Sequence, residues 1–554
     1  MIRYFNFLIV VVVFISCIGC MQNEDLISIK VNNNKVAELD YRIFGQFIEK
    51  PSWGGEWGPE AALKPGTHDL QNGVEELMQK MHIPVLRFPG GTDVNFQDWR
   101  TLIDNVPDRD GDRPVFVGHA GDTVTNNFGY DEVCQLAERL GSEMMIVVNF
   151  GDAYYKKKSI EAAVRHEMGL LAYLNLAVGA DLPDWMADWP SIRARNGHPE
   201  PYNIRYVQIA NEPWVMDRDL KQYDAIDSEK KDHYFACLDK FIEMIEKIDP
   251  EVEIIADGNS EELTTPLREK YGGRIDYLAY HRYLPWGIQE VLKNGDPVHA
   301  DSLTAEEVWK TWVAIPDFND NGYSTVEDEK FKRLKESGYP IAVTEWNWNG
   351  WWATETKKHS NSHFTQGIGA AGYLHGLMRN AEHVAIGNQS MLVGRSWGIT
   401  GIRVSETEAF KPYPHSTAEI TGFYSKYHGG SMMELETQNI PCYAQPYQMA
   451  AIMPRDSVAI LDVLATAGND RVYVHVINRE YNKDMPVELD LTEFRKIKNG
   501  RLHTYTGNIE NEFVSKVVNA YGRVLSKSLK VSRNKAEVML PKRSASILEF
   551  QLED

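Results

Sequence analysis

Eight short runs rich in Val, Ile and Phe recur along this chain with helix-period stretches between them, and that rhythm restricts the fold more than any other feature. The runs are Ile43–Glu49, Val85–Phe88, Met144–Phe150, Tyr206–Ala210, Glu253–Ala256, Tyr277–His281, Ile341–Thr344 and a last one near Val384–Leu392. Helices are expected between them, for example at Asp131–Leu140, Asp232–Ile248 and Thr365–Arg379. Alternating strands and helices imply a parallel sheet, and eight such units predict an α/β fold, the closed (β/α)8 TIM barrel. The 554 residues exceed what one barrel needs, so a second, smaller unit is expected.

That unit shows itself after Gly429-Gly430, where the texture changes to short segments of period two: Val472–Val476, Glu537–Leu540 and Ile547–Phe550. Such alternation with turn residues between predicts an antiparallel β-sandwich. Leu26–Val31 alternates in the same way and is expected to add a strand to that sandwich, joining the two ends of the chain. The predicted organisation is therefore a leader over 1–20, a sandwich strand within 25–38, the barrel over 39–428 and the sandwich over 429–554.

Lys and Arg number 58 against 79 Asp and Glu, a net charge of −21 spread along the chain. That excludes nucleic acid as the expected partner and agrees with a neutral polysaccharide or oligosaccharide. The start, MIRYFNFLIVVVVFISCIGC, combines Arg3, an apolar run and small residues before Cys20. It has the form of a secretion signal, and Ile18-Gly19-Cys20 resembles a lipoprotein processing site, with Cys17 as the competing position. The expectation is an extracytoplasmic protein held at a membrane only through a lipid on Cys20. Cys134, Cys237 and Cys442 are scattered and form no disulfide framework or zinc spacing. Asp108–Asp112 lacks the Glu that would complete a calcium loop, so no metal and no cofactor are expected.

The chemistry-bearing residues sit where strands give way to loops. Glu212 follows the fourth run and Glu345 the seventh. Barrel chemistry gathers at the carboxyl ends of the strands, and glycoside hydrolysis needs one carboxyl as proton donor and a second as nucleophile or base. Trp214 and Trp346 are placed to supply the apolar wall that raises the pKa of an acid. Arg87 is placed to hold a carboxylate ionised through charge-assisted hydrogen bonds, in competition with a purely structural ion pair. His281 is either a hydrogen-bonding group of the site or a strand-end histidine that orders a carboxylate. Trp346-Asn347-Trp348-Asn349-Gly350-Trp351-Trp352 crowds indoles beside Glu345, and at least one is expected to be a sugar-stacking platform.

Phe44–Glu49, Leu86–Gly91, Asn196–Asn203, Asn211-Glu212, His281-Arg282-Tyr283 and Thr344–Asn347 together resemble the α-L-arabinofuranosidases of glycoside hydrolase family 51, in that family's order. The resemblance implies Glu212 as acid/base and Glu345 as nucleophile of a retaining exo-glycosidase. It also implies sugar contacts from Glu49, Asn211, Tyr283 and Gln389, and an oligomeric assembly. The sequence departs from the family at Thr92, where Gly90-Gly91 is ordinarily followed by Asn, so a hydroxyl replaces an amide beside the sugar. Another furanosidase, such as a β-D-galactofuranosidase, and an endo-glucanase remain open on the same scaffold. So does a surface glycan-binding lipoprotein without turnover, against which the intact carboxylate pair argues.

Overall fold

The computed structural model describes residues 26–216, 228–258, 261–284, 287–288, 290–299, 302–314, 325–348, 351–352, 363–395, 397, 400–404, 411–450, 452–507 and 522–553. The leader with Cys20 lies outside them. Strand β1 is Ile27–Glu38; the barrel strands are β2 Gly45–Glu49, β3 Val85–Gly90, β4 Glu143–Val148, β5 Tyr206–Ile209, β6 Glu253–Asp257, β7 Tyr277–Leu284, β8 Ile341–Trp348 and β9 Val384–Gln389. They close into one barrel in chain order, each strand parallel to the next and β9 returning to β2. The predicted fold is thus present, built from the eight apolar runs.

Two boundaries differ instructively. Tyr41–Phe44 is a 3-10 turn started by Asp40, whose side chain accepts from the Arg42 amide, so β2 begins only at Gly45. β8 continues through Glu345 to Trp348 instead of stopping before it.

The barrel is filled from below by one small core layer. Val85, Met145, Tyr206, Ile255, Tyr277, Ala279, Ala342 and Ile386 point inward from seven of the strands and touch one another. Successive strand residues alternate in direction, so residues two further along stand above this layer on the same inner face. Those positions are occupied by Arg87, Gln208 and His281.

The second unit is a nine-stranded sheet that closes on its own core as a sandwich. Its remaining strands are β10 Ser431–Gln438, β11 Leu461–Ala467, β12 Arg471–Asn478, β13 Met485–Asp490, β14 Ile497–Thr506, β15 Arg523–Leu529, β16 Lys535–Leu540 and β17 Ser544–Leu552. Their order is β15-β14-β17-β12-β11-β10-β1-β13-β16. β1 pairs antiparallel with β10 and parallel with β13, and its Ile27, Ile29 and Val31 enter the sandwich core. Barrel helices His363–Arg379 and Ser416–Lys426 pack on this unit. Arg379 and Arg479 converge on buried Asp462, and the Tyr505 hydroxyl donates to Glu419 at 2.7 Å. Among the described residues no helix is long and apolar enough to cross a membrane.

Candidate active site

Arg87 organises the floor of the pocket. Its guanidinium is wholly buried over the Phe47 ring and sends each of its three nitrogens to a different side chain. Nη1 donates to Glu345 Oε1 at 3.0 Å, Nε to Gln208 Oε1 at 2.8 Å and Nη2 to Asn211 Oδ1 at 2.6 Å. A planar fork fits this task as an ammonium does not. One cation therefore ties the third, fifth and eighth strands of the chain to the residue preceding Glu212.

Glu345 enters the barrel through a bulge. Pairing with β7 slips between Ala342 and Glu345, and pairing with β9 slips between Val343 and Trp346. An extra residue on one strand re-aims its neighbours, so Thr344 and Glu345 both reach inward. The Thr344 hydroxyl meets His281 Nε2 at 2.8 Å, while Glu345 Oε2 accepts from the Tyr283 hydroxyl at 2.9 Å. Burial pushes the Glu345 carboxyl up, but the His281 ring, Arg87 and the Tyr283 hydroxyl outweigh it and hold the group below the ordinary value of 4.5.

Glu212 approaches from β5 on a backbone with two left-handed residues, Ala210 at φ 68° and Glu212 at φ 47°. Such conformations cost about 1–3 kcal/mol each for residues with a side chain. Here they are held by Asn95, whose Nδ2 donates to the Asn211 carbonyl at 2.8 Å and whose Oδ1 accepts from the Asn211 amide at 3.4 Å. Glu212 Oε1 lies 2.9 Å from His281 Nδ1, and the same nitrogen is 3.6 Å from Glu345 Oε2. The facing atoms of Glu212, His281 and Glu345 all fall within 4.8 Å of one another. That spacing would also admit a cation, but Arg87 already supplies a positive charge to Glu345.

Glu49 ends β2 against Gly91, which sits at φ 75°; a Cβ there would lie 2.0 Å from Glu49 Oε1. Burial, reinforced by Glu345, Asp93 and Glu212, pushes the Glu49 carboxyl well above 4.5. Thr92 follows Gly91, half-buried, and its carbonyl accepts from Asn95 Nδ2 at 3.4 Å. Asn211 Nδ2 is buried with no hydrogen-bond partner, a donor left for a ligand.

Two expectations are corrected. Trp346 is fully buried and stacks on Tyr373 of helix His363–Arg379, with centroids 4.5 Å apart and planes 12° apart. Trp348 is equally buried beside Gly369 of the same helix. Once the bulge turns Glu345 inward, Trp346 and Trp348 must face the surrounding helices, so neither is a platform; the Trp351 and Trp352 side chains lie outside the described residues. Gln389, expected to contact a hydroxyl, has its amide engaged by Gln46 at 3.0 Å, the Thr417 carbonyl at 3.2 Å and Asn347 at 3.5 Å. Glu49, Arg87, Asn211, His281 and Tyr283 are brought together around Glu212 and Glu345. Gln208, Asn95 and Thr344 were not singled out from the sequence, because an isolated amide or hydroxyl near a strand end carries no distinguishing pattern.

A (β/α)8 barrel with two carboxyls facing each other at its strand ends meets what the glycoside-hydrolase class of sites requires. Comparison with known proteins narrows it: the α-L-arabinofuranosidase 1 domain matches residues 77–290 and the α-L-arabinofuranosidase C-terminal domain residues 345–544. The chain belongs to the family of proteins built from these two α-L-arabinofuranosidase domains. It is 26% identical over 331 residues to an intracellular exo-α-(1→5)-L-arabinofuranosidase of Halalkalibacterium halodurans, covering 56% of each chain. The corresponding protein of Acetivibrio thermocellus is 24% identical over 328 residues, again 56% of each. The chain thus matches little more than half the length of these relatives. The arabinofuranosidase of Thermotoga maritima superposes with a TM-score of 0.69 at 20% identity, over 95% of this chain and 100% of that one. That of Xanthomonas axonopodis gives 0.70 at 18% identity, over 95% and 100%. These two likenesses speak for the fold.

The matched proteins of Halalkalibacterium halodurans, Acetivibrio thermocellus, Bacillus subtilis and Streptomyces lividans are all named intracellular. This overturns the expectation of an extracytoplasmic, lipid-anchored protein; Cys20 itself lies outside the described residues.

Proposed function

We propose that this protein is a retaining exo-α-L-arabinofuranosidase that releases terminal arabinofuranosyl units from a neutral plant-type glycan. The observation that carries the reading is the facing of Glu212 and Glu345 across His281, within 4.8 Å, with Arg87 and Tyr283 both on Glu345. Retaining enzymes keep their two carboxyls about 5–5.5 Å apart, whereas inverting enzymes hold them at about 6.5–9.5 Å to admit a water. An oxygen of Glu212 and one of Glu345 within 4.8 Å of each other supports the closer arrangement and direct attack.

In the first step Glu345 Oε2 bonds to the anomeric carbon as the glycosidic C–O bond breaks, and Glu212 gives its proton to the leaving oxygen. In the second, Glu212 takes a proton from water, the water oxygen bonds to the anomeric carbon, and the bond to Glu345 breaks. Arg87 and Tyr283 hold Glu345 ionised and aimed; His281 positions Glu212. Asn211 Nδ2 and Glu49 are available to the sugar hydroxyls. Thr92, in place of an amide, gives the pocket a smaller group, which supports a β-D-galactofuranoside as the next substrate in rank.

The test is hydrolysis of aryl glycosides that differ only in the sugar. The arabinofuranoside should be turned over best, the galactofuranoside less well and the arabinopyranoside poorly. Glu345→Ala should abolish turnover of all of them. Glu212→Ala should keep activity toward aryl leaving groups that need no proton, with added azide yielding a glycosyl azide. Activity confined to pyranosides, or equal losses in both variants with no azide product, would overturn the reading.

A further inference from the structure

The polar floor around Glu212 and Glu345 is flanked by a corner of aromatic rings that the two-step reaction does not use. Trp397 lies on the loop after β9 and its ring centroid is 6.0 Å from that of Tyr283, whose hydroxyl rests on Glu345. Trp53 lies on the loop after β2 and meets Trp397 edge to face, 5.5 Å between centroids at 87°. Both indoles are half-buried. Trp53 stands four residues beyond Glu49 and Trp397 eight beyond Gln389, so both rise above the strand ends that hold the reacting groups.

The corner is held rigidly. Glu56, fully buried on the first loop, accepts from the amides of Arg395 and Trp397 at 2.9 and 2.6 Å and from the Thr400 hydroxyl at 3.0 Å, all on the second loop. Arg395 in turn donates to the Gly55 carbonyl and stands 4.2 Å from the centroid of the Trp57 ring. A carboxylate buried only to staple two loops together makes sense if the rings they carry must keep a fixed attitude, because a surface preorganised for its ligand loses less entropy on binding.

We propose that Trp53 and Trp397 form the shelf for the sugar on the leaving side of the scissile bond. A neutral sugar ring there lays its C–H face on the indoles while the terminal unit sits on the polar floor below. This rests on the glycosidase reading above and adds where the rest of the glycan is held. The groups suited to the reacting sugar, Glu49, Asn211 and Tyr283, are hydrogen-bonding ones at the strand ends. The rings are apolar and one layer further out, where the next unit of a chain lies.

The experiment compares methyl α-L-arabinofuranoside, which has only a methyl group on the leaving side, with α-1,5-linked arabinotriose in the Trp53→Ala, Trp397→Ala and Trp397→Phe proteins. The ratio of kcat/KM for the trisaccharide to kcat/KM for the methyl glycoside should fall about ten-fold in each alanine variant, the equivalent of about 1.4 kcal/mol. The phenylalanine variant should recover much of that loss. Equal falls on both substrates would place the rings over the reacting sugar and overturn the proposal; no change on either would reduce them to packing and overturn it too. Calorimetric binding of arabinotriose to Glu345→Ala, with and without Trp53→Ala, reads the shelf without turnover. About ten-fold weaker binding supports it and equal affinity overturns it, even if the wild type hydrolyses neither substrate and the glycosidase reading itself fails.

Discussion

Replacing Arg87 by Lys keeps the positive charge and removes the fork, which makes it the sharpest probe of how the site is held. A lysine ammonium in the same place can satisfy at most one of the three partners now met by Nε, Nη1 and Nη2. Two acceptors among Glu345, Gln208 and Asn211 then stay buried without their donor. Hydrogen bonds to charged groups contribute roughly 1.5–3 kcal/mol each, so the loss totals about 3–6 kcal/mol, shared between stability and catalysis. If half falls on the transition state, kcat/KM drops roughly 10- to 100-fold, since about 1.4 kcal/mol is a decade. The direction with pH is also fixed. Arg87 is one of the groups holding the Glu345 carboxyl below its usual value, so weakening it moves the acid limb of kcat/KM to higher pH. Glu345's contribution to stability, present above the unfolded value of 4.5 and lost as pH falls through the folded one, shrinks with it. The assay is a pH series on an aryl arabinofuranoside with thermal melts in parallel. A variant within three-fold of wild type, with its acid limb unmoved, would refute the claim that the fork tunes the nucleophile.

Gly91→Ala should lower both melting temperature and kcat/KM, the latter at least ten-fold. The new Cβ must sit at φ 75° and displaces the Glu49 carboxyl; unchanged kinetics would show that Glu49 does not serve the pocket. Trp346→Ala should cost about 3–5 kcal/mol of stability with little change in KM, and a raised KM without a melting shift would restore its reading as a platform. Glu419, raised to about 7 by burial despite the Tyr505 hydroxyl, favours its neutral form in the fold. The stability it contributes, on the order of 3 kcal/mol, is complete below pH 4.5 and lost as pH rises through about 7. Glu419→Gln should therefore flatten the decline in melting temperature between those values, and parallel curves for the two proteins would count against it.

The barrel was legible because each of its strands is covered on both sides and must be apolar along its length; Met144–Phe150 and Tyr206–Ala210 read as strands on that ground alone. The two glutamates were legible because a carboxylate after such a run is costly unless it has a task. What the sequence hid was the bulge at Thr344-Glu345. A strand of strict period two would send Glu345 outward with Ala342 and Thr344 inward, and nothing in Ile341–Trp348 announces the extra residue. The same slip reverses Trp346 and Trp348, so a cluster of indoles that looks like a sugar platform becomes the seam between barrel and helix. The left-handed turns at Ala210 and Glu212 were equally hidden, since neither residue type favours that conformation and the bracing comes from afar, from Asn95 more than a hundred residues earlier.

β1 sets a schedule for making this protein. Its two neighbours in the sheet, β10 and β13, are encoded roughly 400 residues or more after it, which at about 5–20 residues per second of synthesis is a wait on the order of 20–80 s. Through that time Ile27, Ile29 and Val31 have no sheet to join, while the whole barrel leaves the ribosome behind them. The sandwich is thus assembled last and from both ends of the chain at once. A fragment beginning at β2 would leave β10 and β13 each facing an empty lane in the middle of the sheet, open to the first strand of any neighbouring chain.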